Sequence, residues 1–380
     1  MQLNNRSLTC VLLIALLAAF SDQEVSCEPS EVGQVEIAEV LRLGDEAAGD
    51  TVLFSRITNL AVNSRGDIIV EEASRPSIRV FDSEGAYVND IGGVGQGPGE
   101  YRYTWGVVVG PADSVYVWEV YTDRVLVYDP QDFSFVRHVT VEDDGIEGAV
   151  GIIGIGEAGW IMPIQARPFQ PGDDGKMTVY EDTDFEIRRV DPDGSYGQEV
   201  IATVRDNEMI YHVFEESGGF TIHGVPYARN AAWAMGPNDM LYYGWGDAIQ
   251  ISVANVDGSV QTRIHHEHDP VFITDAETEA AAQEMVNEQH EKLLAARGPH
   301  KTKPAFETFV VDEAGNVWVK LSSIENATSA DWLILDMGSE VVGIAALPIN
   351  VTLKMIRNGH AYGTEQQNGE DIMVVVYEIE

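Results

Sequence analysis

The sequence is almost free of cysteine: Cys10 and Cys27 are the two in 380 residues. Cys10 lies inside an N-terminal apolar run, so a chain processed after that run keeps at most one thiol and forms no internal disulfide. Basic residues are scarce, with 23 Lys and Arg against 62 Asp and Glu and a formal net charge of −39. Phosphate backbones and anionic membrane surfaces are held by clustered cations, which excludes nucleic acid as a partner. Long apolar stretches are also missing. The longest, residues 11–20, has ten residues, about half of the roughly 20 a membrane helix needs. No transmembrane segment is expected in the mature chain. There is no G-x-S-x-G elbow, HExxH pair or P-loop. Residues 92–99 are glycine-rich, but no helix-opening Lys-Ser/Thr pair follows them, so they do not cradle phosphate.

What is present describes an exported globular protein. Apolar residues make up 44% and aromatics 9% of the chain, enough for a core, so the acidity serves solubility and salt tolerance rather than disorder. Arg6 followed by the ten-residue run reads as a signal peptide. Residues 1–26 are therefore expected to be a signal and cleavage region. Glu24-Val25-Ser26-Cys27 makes Cys27 a lipidation candidate, while cleavage after Ala19-Phe20-Ser21 would leave it in a tail. The expected location is periplasmic, tethered to the outer membrane, or extracellular.

Residues 57–88 and 105–136 align without gaps over much of their length at an offset of 47. Val62 matches Val109, Val70 matches Val117, and Val80-Phe81-Asp82 matches Val127-Tyr128-Asp129. Each unit holds strands of alternating pattern separated by Gly/Asp/Ser turns. Drifted copies begin near Trp160, Asn230, Phe309 and His360, which makes six units. Four-stranded units repeated about an axis form a β-propeller. The expected fold is all-β, a single six-bladed propeller over residues 35–380. The strand VEIAEVLRL at 35–43 would complete the last blade and close the ring. One helical insert is expected at 274–297. It opens on a capping box of Thr274 and Glu277, carries Ala282, Met285, Gln289 and Leu293 on one face, and stops at Gly298-Pro299. Such a helix either lids the channel or lies as a flap on a blade edge.

The run IRVFDSEGAYV followed by GGVGQGPGEY at 92–101 resembles the bacterial six-bladed propellers of the NHL-repeat-like group, in which a G-x-G-x-GPGEF-like loop links one blade to the next. The resemblance covers nearly the whole mature chain and implies fold and export, with no particular activity. The wider superfamily includes calcium-dependent lactonases that hold the metal on acid and amide side chains of the inner strands. At the corresponding positions here stand Thr58, Trp105, Ala231 and Glu307, with Asn59, Gly106, Ala232 and Thr308 beside them. Glu307 and Asn59 could donate oxygens, but calcium takes six to eight.

Candidate binding residues are Trp105, Trp233, Trp245, His223 and Arg229, an aromatic and basic rim suited to a carboxylated, sugar or peptide ligand. Burial between blades is the competing role for each tryptophan. His265-His266-Glu267-His268-Asp269 is rich in metal-ligand types but leaves a strand for a loop, so a solvated loop is expected. The expected function is an exported, non-catalytic, monomeric scaffold that binds a small molecule or envelope protein without a cofactor. The alternative is a calcium-dependent lactonase-like hydrolase using Glu307 and Asn59.

Overall fold

The computed structural model describes residues 33–45, 52–73, 75, 77–142, 149–156, 159–165, 178–180, 184–213, 220–283, 298–367 and 369–380. The signal region 1–26, Cys27 and residues 284–297 of the insert lie outside the described residues. One compact unit covers Gln34–Glu380.

Among the described residues the strands form six four-stranded antiparallel sheets, the blades. The chain opens with β1 (Ile37–Leu43). Blade 1 is β2 (Ile57–Val62), β3 (Ile68–Glu72), β4 (Ile78–Phe81) and β5 (Tyr87–Ile91). Blade 2 is β6 (Thr104–Val109), β7 (Val115–Glu119), β8 (Arg124–Tyr128) and β9 (Phe135–Thr140). Blade 3 starts with β10 (Gly154–Gly156) and β11 (Gly159–Gln165), departs into β12 (Thr178–Tyr180), and resumes as β13 (Asp184–Val190) and β14 (Tyr196–Arg205). The excursion pairs with β15 (Met209–Val213) and β16 (Phe220–Gly224) in an extra three-stranded sheet. Blade 4 is β17 (Ala231–Met235), β18 (Leu241–Trp245), β19 (Gln250–Ala254) and β20 (Val260–His265). Helix α1 (Asp275–Gln283) follows. Blade 5 is β21 (Phe306–Val311), β22 (Val317–Leu321), β23 (Ser329–Leu335) and β24 (Val341–Pro348). Blade 6 is β25 (Val351–Arg357), β26 (His360–Gln367) and β27 (Glu370–Ile379), with β1 as its outermost strand.

Strand position within a blade explains the sequence pattern. Second strands are covered on both faces by neighbouring blades, so β3 reads Ile-Ile-Val-Glu-Glu and is buried throughout. Outer strands face water on one side, and β20 buries only Ile264 of its six residues. Ring closure follows the expectation. β1 pairs antiparallel with β27 from Ile37↔Ile379 to Leu43↔Val374. Arg42 of β1 reaches Glu365 of β26 at 2.6 Å. Val35 and Ile37 pack with a core holding Trp318 and Trp332 of blade 5, whereas Leu41 and Leu43 pack with Phe54 and Ile57 at blade 1. The first strand therefore seals both seams of the last blade.

The GGVGQGPGEY loop is an interblade connector. Its Tyr101 is buried, accepts the Ile78 N–H at 3.0 Å and donates to the Ile91 carbonyl at 2.8 Å. Gly92 has φ +72°, and a Cβ there would lie 2.1 Å from the Tyr101 ring. Only glycine meets both demands. The extra sheet of β12, β15 and β16 is where the structure exceeds the four-strand repeat.

Candidate functional site

One face of the ring is built from the loops that enter each inner strand and the loops that leave each second strand. Register breaks at this end shape its centre. In blade 1 the pairing slips between Ile57 and Asn59, in blade 2 between Thr104 and Val107, and in blade 5 between Phe306 and Thr308. The bulged residues are Thr58, Trp105 and Glu307, and all three are exposed. A bulge re-aims a side chain away from the ladder, which is how an inner strand presents one to solvent.

Beside Glu307 a cavity of about 550 Å³ opens between blades 4 and 5. Tyr227 and Asn230 line it from the loop before β17, Lys303 and Glu307 from the entry to β21, and Ser322 to Asn326 from the loop after β22. Glu277 of α1 completes the wall. The capping box forms as expected, with the Thr274 N–H donating to Glu277 at 3.0 Å and the Glu277 N–H to Thr274 Oγ1 at 3.1 Å. The other carboxylate oxygen of Glu277 takes Lys303 Nζ at 2.5 Å. Lys303 also donates to the Ser323 carbonyl at 2.7 Å and lies 5.6 Å from the centre of the Tyr227 ring. Burial pushes the Glu277 carboxyl up, but Lys303 and the Thr274 N–H outweigh it and hold it below the usual carboxylate range. The residue that caps the helix thus anchors it to the cavity wall.

Arg229 braces the same wall. It donates to the Tyr227 carbonyl at 3.0 Å, Thr302 Oγ1 at 2.9 Å and the Lys303 carbonyl at 3.3 Å. Its backbone N–H donates to Glu208 at 2.8 Å, and Glu208 meets His300 Nε2 at 2.7 Å. Glu307 pairs with the buried Lys320 at 3.0 Å. Lys320 donates in turn to the Ile349 carbonyl and to Thr352 Oγ1, both at 3.3 Å.

The structure distributes the sequence candidates widely. Trp105 stands exposed on this face, in edge-to-face contact with Tyr103 at 6.2 Å, and Tyr103 meets Tyr121 at 6.1 Å. Trp233 takes the interblade packing position, edge-on to Phe185 of blade 3 at 5.2 Å. The Trp245 ring is covered by the Arg205 guanidinium at 4.3 Å. His223 is a residue of β16 in the extra sheet, paired with Ile210. Asn59 gives its side-chain oxygen to the Leu60 N–H at 2.8 Å. Glu307 and Asn59 belong to blades 5 and 1, which are not neighbours. Among the described residues no three His, Cys, Asp or Glu side chains gather where they could hold a metal ion.

His266, Glu267, His268 and Asp269 of the histidine-rich run line a separate open depression with Asp247, where burial lowers the pKa of His268. Sequence reasoning passed over Tyr103, Tyr121, Tyr227, Lys303, Ser322 and Ser323. Arg56 immediately precedes the inner strand β2, and Tyr103 occupies the equivalent position at the offset of 47, so the repeat marks Tyr103 as an entry residue.

Comparison with known proteins agrees on the fold. A family model described as 6-bladed beta-propeller matches residues 47–151. No curated protein matches significantly. Among solved structures, a member of the duf4221 family from Bacteroides vulgatus is similar over 92% of this chain and 99% of its own, at 10% identity and a TM-score of 0.50. A protein from Bacteroides fragilis described as exported is 13% identical, covers 91% and 95%, and has a TM-score of 0.49. A gluconolactonase from Xanthomonas campestris is 12% identical, covers 92% and 98%, and has a TM-score of 0.45. The chain is a six-bladed β-propeller, and identities this low speak of fold alone.

Proposed function

We propose that the chain is an exported, non-catalytic β-propeller of the NHL-repeat-like group that binds a small ligand in the cavity between blades 4 and 5. The observation that carries this is the cavity itself: about 550 Å³, within the range of small-molecule sites, walled by loops of adjoining blades and by the helical insert. The charged groups Glu277, Lys303 and Glu307 of its wall are each held by a neighbour. Glu277 holds Lys303, Glu307 holds Lys320, and Arg229 braces the loops. Export is supported by Arg6 and the apolar run after it. Among the described residues no helix is long and apolar enough to cross a membrane. The calcium-lactonase alternative draws no support from side chains already committed as Glu307 and Asn59 are.

The test is a melting screen of the purified chain against neutral oligosaccharides, amino acids and dipeptides, sugar acids, and lactones. Asn230→Trp serves as the blocked control. Asn230 is exposed on the cavity wall, and its carbonyl bond to the Gly246 N–H survives the substitution. One class should raise the wild-type melting temperature in proportion to the logarithm of its concentration and leave the variant unmoved. Turnover of a lactone, or a shift retained in Asn230→Trp, would overturn the proposal.

A further inference from the structure

The charge and aromatic layout of this face narrow the ligand class. The chain carries −39 overall, yet the cavity is close to neutral. Of its described lining carboxylates, Glu277 is balanced by Lys303 and Glu307 by Lys320, which leaves Glu325. A cation would find more field over the rest of the surface than here, and an anion would meet net repulsion. What the wall offers is hydrogen bonding of both senses from Asn230, Ser323, Asn326 and the outer oxygen of Glu307. A neutral ligand dense in hydroxyls uses such a wall best.

The second observation is independent of the cavity. Of seven tryptophans, Trp105 is the exposed one, at 57%, and it stands in a bulge at the start of an inner strand. Tyr103, 36% exposed, meets it edge-to-face, and Tyr121, 70% exposed, meets Tyr103 in the same way, so the three rings form a row. An exposed cluster of three rings costs apolar hydration and marks a contact surface rather than a stray side chain. The rings carry no charge and offer flat apolar faces with hydroxyl tips, which suit the C–H faces of a pyranose. Blades 2 and 5 are three steps apart in a ring of six, so the rings and the cavity face each other across the channel mouth on the same side.

We infer that the ligand is a neutral oligosaccharide chain, seated by one end in the cavity between blades 4 and 5 and stacked farther along on Tyr103, Trp105 and Tyr121. This rests on the binding reading above and adds the chemistry and length of the ligand. Occupying both sites at once makes the second contact intramolecular, so affinity should climb with chain length until the span is bridged.

The experiment is calorimetric titration of the full chain with cello-, xylo- and manno-oligosaccharides of two to eight units. Oligogalacturonate and oligolysine are the charged controls, and Trp105→Ala and Asn230→Trp the variants. At least one neutral series should gain tenfold or more in affinity from its shortest to its longest members. Trp105→Ala should erase that gain and leave the shortest binder unchanged, and Asn230→Trp should abolish binding at every length. Affinity independent of length, a wild-type response to Trp105→Ala, or preference for either charged control would overturn the inference. If no oligosaccharide binds while another compound shifts the melt and Asn230→Trp removes that shift, the inference falls and the binding proposal stands. Binding of any probe that survives Asn230→Trp sinks both.

Discussion

At the residue scale, the second-strand ends show how two adjacent carboxylate positions serve opposite electrostatic ends. Glu72 and Glu119 correspond at the offset of 47, and each accepts the N–H of the residue two before its inner strand, Ser55 at 3.0 Å and Arg102 at 3.2 Å. Burial raises the Glu119 carboxyl, but Thr122 and Arg124 outweigh it and leave it below the usual range. Its neighbour in the repeat, Glu71, lies between blades 1 and 2 where burial dominates and pushes it up, despite the Gly106 N–H it accepts. The two contribute to stability with opposite signs. Glu119 stabilises the fold above the unfolded carboxylate value near 4.5, and that contribution is lost as pH falls through its lowered folded value. Glu71 contributes below 4.5 and loses it as pH rises through its raised value. Glu119→Gln should therefore lower stability at pH 7 by about 2 kcal/mol, the worth of a charge-assisted bond, with the deficit shrinking in acid. Glu71→Gln should melt no lower than wild type at pH 8, and its advantage should fade toward pH 4. Denaturant curves at three pH values check both. Arg79→Met should be more costly still, about 3–5 kcal/mol. It strands Glu72, which is 3% exposed and paired with Arg79 at 2.5 Å, and strips the cation from the Phe54 ring.

At the scale of elements, the strands and their order could be read from the sequence because each blade repeats one hydrophobic grammar. The match of Val70 to Val117 is the match of β3 to β7, both buried at the same depth. The capping box was equally legible, since Thr274 and Glu277 need only their spacing to find each other. The bulges at Thr58, Trp105 and Glu307 were not, because a register slip depends on the partner strand and leaves no local signature. For the same reason Trp233 and Trp105 look alike in sequence, while one packs between blades and the other meets water. The excursion through β12 broke the repeat and hid the three-stranded sheet. Two elements offer sharp tests. Deleting residues 37–43 should abolish the cooperative melt and drive aggregation, because it exposes the full edge of β27 and opens both seams of blade 6. Thr274→Ala should cost about 1 kcal/mol locally, seen as faster amide exchange in α1 with the global melt nearly unchanged.

On the scale of the whole molecule, a rigid ring carries a face whose loops are free to specialise. Most of the chain's net charge of −39 is spread over that ring and opposes its compactness. Raising sodium chloride from 20 mM to 1 M should raise the melting temperature, since screening relieves the repulsion. A fall would mean that the ion pairs, Arg42 with Glu365 among them, outweigh it. The central claim is that ligand is held on the loop face between blades 4 and 5. Amide hydrogen exchange of the full chain, with and without the compound giving the largest shift in the melting screen, tests this most directly. Bound ligand should add protection at residues 225–230, 303–307 and 322–327, which wall the cavity. Protection confined to the opposite face or to the histidine-rich run at 265–269 would contradict it.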